Sequence, residues 1–103
     1  MTASNTSFSS HPGTPQGLPA PVACFSVHAK SDPGSLPRVL EPFAKRGLVP
    51  AQVHVTRDRD DNGLLQIDLQ MADMDLDTAT TIGRSLNQIF GIQSVLVSEK
   101  VTG

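Results

Sequence analysis

Between residues 22 and 30 apolar and polar positions alternate. Ala23, Phe25, Val27 and Ala29 fall on one side, and Cys24, Ser26, His28 and Lys30 on the other. A period of two is the spacing of a half-buried strand, so a first strand is expected over Val22–Lys30. Ser31-Asp32-Pro33-Gly34-Ser35 is then dense in turn-forming residues. Beyond it the period lengthens. Leu36, Val39, Leu40 and Phe43 stand at i, i+3, i+4 and i+7, one stripe of a helix. Gly47 stops that helix after Lys45 and Arg46, two cations suited to its negative end. Pro37 fits the first turn, whereas Pro42 removes a backbone bond and is expected to kink or loosen the second half.

Alternation returns with Val49, Ala51, Val53 and Val55 against Gln52, His54 and Thr56, a second strand. Residues 57–63 form a charged hairpin turn ending in Asn62-Gly63. Leu65, Ile67, Leu69 and Met71 give the cleanest strand pattern in the chain. One of Asp73, Asp75 and Asp77 is expected to cap a second helix whose apolar stripe is Leu76, Ala79, Ile82, Leu86 and Ile89, ended by Gly91. A last strand runs from Ile92 to Val101, with Val95 and Val97 as its core residues. The order βαββαβ predicts an α+β, ferredoxin-like two-layer sandwich, with two helices on one side of a four-stranded antiparallel sheet. The third strand then lies between the first and the second. The polar face, carrying Ser26, His28, Gln52, His54, Gln66, Asp68 and Gln70, meets either water or another subunit.

Residues 1–21 have no such periodicity. They are rich in Ser, Thr, Gly and Pro, with one isolated Phe8, and are read as a flexible N-terminal tail preceding a domain over 22–103. The alternative is an arm that orders against a partner. A folded part of roughly 80 residues is marginal alone, and oligomerisation would help it.

Composition narrows the partners. The 103 residues carry a formal net charge of -2, with 17% charged residues. Such a chain has no long-range field for a phosphate backbone or an anionic membrane. Phe is its only aromatic residue, which removes the stacking platform of single-strand nucleic-acid binders. One Cys excludes a disulfide scaffold and a cysteine-based zinc site. No apolar run approaches a membrane span, and no Lys or Arg precedes Lys30, so a signal peptide is not expected and the chain is expected to be cytoplasmic.

The candidate chemistry is sparse. Asp58 to Gly63 starts like a calcium loop, but Leu69 stands where the bidentate carboxylate belongs. Asp73, Asp75 and Asp77 fail the same test, with Thr78 at the glycine position and Arg84 at the last ligand position. Cys24 and His28 are about 13 Å apart along one strand, and the third strand separates the backbones of His28 and His54 by roughly 10 Å. His11 lies in the tail. No metal, cofactor or nucleophile-and-base pair can be placed, so catalysis is not expected.

One segment invites a ligand. Ser31-Asp32-Pro33-Gly34-Ser35-Leu36 closes straight onto a helix N-terminus. The N–H groups of Gly34, Ser35 and Leu36 suit a carboxylate, aided by the helix dipole, and Asp32 suits an ammonium group. Together these are what a free amino acid needs. The plain alternative is that Asp32 and Ser35 only cap the helix and Gly34 only turns the chain.

These residues also carry a family resemblance. Asp32-Pro33-Gly34-Ser35-Leu36-Pro37-Arg38-Val39-Leu40, followed by Phe43-Ala44-Lys45-Arg46-Gly47, resembles the opening of an ACT domain. It is similar to the short, single-domain kind of acetolactate synthase small subunit, where Gly-x-Leu-x-Arg-Val leads to Phe-x-x-Arg-Gly. The likeness spans Val22 to Val101. It implies a homodimer whose small amino acid effector sits at the interface, near the first strand–helix loop, with Ser31, Asp32, Gly34, Ser35 and Leu36 around it. It also implies a large catalytic subunit as partner. Ser31 and Val49 depart from the family's valine-binding pattern, which has Asn at both places. The resemblance thus implies a stand-alone regulatory domain for an amino-acid biosynthetic enzyme. A purely structural interaction subunit is the alternative.

Overall fold

A computed structural model describes residues 20–59 and 63–102. The expected tail therefore lies outside the described residues except for Ala20 and Pro21. So do His11 and the Asn62 half of the Asn-Gly turn. The elements follow the sequence pattern in order: β1 (Ala20–Ala29), α1 (Ser35–Lys45), β2 (Gln52–Arg57), β3 (Leu65–Ala72), α2 (Leu76–Asn87) and β4 (Ile92–Thr102). The sheet order is β2-β3-β1-β4, with every neighbouring pair antiparallel. This is the ferredoxin-like sandwich that the alternation predicts.

β1 begins two residues earlier than its alternation suggests. Ala20 and Pro21 pair with Thr102 and Val101, and the Pro21 carbonyl accepts the Asp73 N–H at 2.9 Å. A proline without its own N–H is tolerated at such a strand end.

The apolar faces meet in one core. Phe25 and Val27 of β1, Ile67, Leu69 and Met71 of β3, Val39 and Phe43 of α1, and Ile82 and Leu86 of α2 are all fully or almost fully buried. Phe25 and Phe43 lock α1 to the sheet edge-to-face, with ring centroids 5.1 Å apart. Val95 and Val97 are half-buried against this cluster. Gly83 allows α2 to lie close on β4, since a Cβ there would stand 2.7 Å from Val97 Cγ2.

α1 runs unbroken through Pro42. The expected loosening does not occur because Val39 and Phe43, on either side of the missing bond, are both anchored in the core. The helix ends in a Schellman motif: Gly47, at φ +70°, donates to Ala44 O and Leu48 donates to Phe43 O. α2 is capped by Asp75, whose Oδ1 accepts the Thr78 N–H at 2.8 Å. Leu76 is largely exposed, contrary to its place in the predicted stripe. Met74, just before the cap, is buried instead, with Ala79 buried one turn on. α2 stops at Asn87, short of Ile89 and Gly91.

β2 departs furthest from its pattern. Val49 lies outside the strand and is 85% exposed, and every residue of β2 is exposed. β2 is an edge strand bonded only to β3.

Candidate functional site

The turn after β1 brings the chain back onto α1 through a set of local bonds. The Ser35 N–H donates to Asp32 O at 2.9 Å, and the Ser35 hydroxyl donates to Lys30 O at 2.7 Å. Ser35 is therefore buried as a structural latch. The Gly34 N–H, expected to face a ligand, donates to Asp32 Oδ2 at 2.9 Å. The same oxygen stands 3.2 Å from Arg38 Nη1. Pro37 has no N–H, and the Arg38 N–H bonds Gly34 O at 3.1 Å. Leu36 is half-buried and packs against the core. Ser31 and Pro33 are exposed on the turn.

Across from this turn lies the α2–β4 connection. Gly91, at φ +90°, turns the chain, and its carbonyl accepts the Lys30 N–H at 2.9 Å. Phe90 is thereby held outside the core, 77% exposed, with Lys30 Nζ 5.3 Å from its ring centroid. Between the turn, α1 and this connection sits a cavity of about 130 Å³, lined by Lys30, Asp32, Ser35, Arg38, Phe90 and Gly91. Of the residues singled out from the sequence, Asp32 and Ser35 reach its wall. Ser31, Gly34 and Leu36 do not line it. Lys30 and Arg38 bracket the segment singled out from the sequence, whereas Phe90 comes from a distant stretch that only the fold brings to them.

The cavity offers one carboxylate, two cations and an aromatic ring. The Asp32–Arg38 pair is about half exposed, so it is weakly held and can exchange partners. Such a set suits a small molecule bearing both an ammonium and a carboxylate.

The open face of the sheet carries a second, shallower depression of about 490 Å³, lined by Cys24, Ser26, Gln52, His54, Asp68 and Gln70 among others. His54 and Ser26 flank Asp68 in register on either side. His28 Nδ1 is 3.2 Å from Ser94 Oγ on the same face. No three of His, Cys, Asp and Glu converge as metal ligands among the described residues. No helix of the described residues is long and apolar enough to cross a membrane.

The family profile of an ACT-like domain matches residues 20–102. No curated protein matches the chain. The ACT domain from a GTP pyrophosphokinase of Chlorobium tepidum is similar at TM-score 0.63 and 15% identity, over 77% of this chain and 99% of that one. The regulatory subunit of aspartate kinase from Thermus flavus is similar at TM-score 0.58 and 14% identity, over 82% of this chain and 58% of that one. A formyltetrahydrofolate deformylase from Pseudomonas putida shares the fold at TM-score 0.60 and 15% identity, over 75% of this chain and 28% of that one.

Proposed function

The chain belongs to the ACT-like domain family, and from that premise we propose that it is a regulatory module that binds a small amino acid at the β1–α1 corner and modulates an amino-acid biosynthetic enzyme. The observation that carries the reading is the cavity at that corner, with Asp32 and Arg38 side by side on its wall. A zwitterion replaces their internal ion pair by two external ones, its ammonium on Asp32 and its carboxylate on Arg38. The resemblance of Gly34 to Gly47 to the acetolactate synthase small subunit favours that enzyme as partner. A homodimer is part of the proposal, supported by the bare edge of β2 and its exposed Val53 and Val55. Effector and dimer are then linked: a ligand that prefers one packing of the two copies shifts the population toward it.

Thermal melting with each of the twenty amino acids tests the reading. A ligand at 100 times its dissociation constant stabilises the native state by about 2.7 kcal/mol, and the midpoint rises accordingly. A rise for a small subset of them is expected. No rise with any at millimolar concentration rejects the sensor and favours an interaction subunit that docks a large catalytic subunit without a ligand.

A further inference from the structure

The charges around the corner cavity do not balance for a neutral amino acid. Lys30 and Arg38 supply two positive charges and Asp32 one negative. Arg38 and Asp32 lie together at 3.2 Å, the spacing that an α-ammonium and an α-carboxylate on one carbon can engage at once. Lys30 is not part of that pair: its ammonium sits over the Phe90 ring, and both residues line the same cavity. A neutral zwitterion satisfies the Asp32–Arg38 pair and brings no anion to the Lys30 ammonium on the same cavity wall. We infer that the effector is an amino acid whose side chain carries a carboxylate. The α-groups dock on Asp32 and Arg38, the methylenes lie against Phe90, and the distal carboxylate meets the Lys30 ammonium. Phe90 suits this role: it is exposed beside the opening and contributes no packing to the core. The inference rests on the reading of this corner as an amino-acid site, and adds to it the class of ligand.

Titration calorimetry on the full chain separates the two. Aspartate and glutamate are compared with asparagine and glutamine, near-isosteres without the side-chain charge, and with valine. One of the acidic pair is expected to bind at least about tenfold more tightly than its amide, as the loss of a charge-assisted bond implies. Lys30→Met keeps the aliphatic stem and removes the charge. It is expected to erase that preference, so that the acidic amino acid and its amide bind alike. A neutral amino acid binding as tightly as the acidic ones overturns the ligand class and leaves the site standing. Binding of acidic amino acids that Lys30→Met does not weaken overturns the assigned role of Lys30 and with it the inference. No heat with any of the five, together with no thermal shift across the twenty, overturns both the inference and the site.

Discussion

Gly34 has a φ of -85°, a conformation open to any residue, so its lack of a side chain matters for space. A Cβ there would stand 2.7 Å from Arg38 Nη2 and 2.8 Å from its Cζ. The guanidinium is the free end of a long side chain and can swing aside, so Gly34→Ala is expected to fold with a midpoint close to that of the parent. Its cost falls on the site, because the displaced Arg38 leaves Asp32. The amino-acid response in thermal melting should drop several-fold, and an unchanged response would separate Arg38 from ligand binding. Asp75 makes a different residue-scale prediction. The Thr78 N–H holds its carboxyl below the ordinary value of 3.8. A carboxyl depressed in the folded state contributes stability that is complete above its unfolded pKa and lost as pH falls through the folded one. Asp75→Asn retains a capping oxygen without the charge, so its melting midpoint should fall less steeply than the parent's as pH drops below 3.8. Parallel midpoint-against-pH curves for the two proteins would contradict this.

At the scale of elements, the contact between α2 and β4 turns on Gly83. Replacing a helical glycine by alanine ordinarily gains up to about 1 kcal/mol. Here the new methyl would lie 2.7 Å from Val97 Cγ2, a branched side chain half-buried on the sheet, with little room to move. Overpacking of this kind costs about 1–3 kcal/mol, so Gly83→Ala is expected to destabilise in urea unfolding. Gly83→Ala combined with Val97→Ala should lose less than the two single costs added together, because the second change removes the clash. Strict additivity would mean that the helix does not rest on that methyl. These elements were legible wherever one periodic face is buried: β1, β3 and α1 follow their apolar stripes, α2 follows its stripe at Ala79, Ile82 and Leu86 but not at Leu76, and β4 follows Val95 and Val97. β2 alternates as cleanly, yet alternation cannot tell an edge strand from a covered one. Pro42 misled because propensity is local, while the anchors at Val39 and Phe43 are tertiary. The β1–α1 corner was legible as a turn feeding a helix. Its cavity was not, since Lys30, Arg38 and Phe90 share no spacing and acquire meaning only when Gly91 folds back against Lys30.

For the whole molecule the telling feature is the sheet's bare edge. Asp58 N–H bonds Leu64 O in the β2–β3 register, so even-numbered residues of β2 face β3 and the backbone groups of Val53 and Val55 point outward. Edges of folded proteins are commonly blunted by lysine, proline or a bulge, and residues 52–56 have none of these. Their valines are also left uncovered on the helix side, at 40% and 38% exposure. A domain of this size gains from covering such a surface, and a second copy pairing antiparallel through β2 would cover backbone and valines together. Sedimentation equilibrium should then show a dimer, and the melting midpoint should rise with protein concentration. Val53→Lys with Val55→Lys places charges on that edge at two positions outside the buried cluster, and is expected to give a folded monomer whose midpoint no longer depends on concentration. If the effector bridges the two copies, the same variant also loses its amino-acid response. A lysine variant that stays dimeric would move the interface to another surface, and a wild-type protein that stays monomeric at every concentration would remove the dimer from the regulatory scheme.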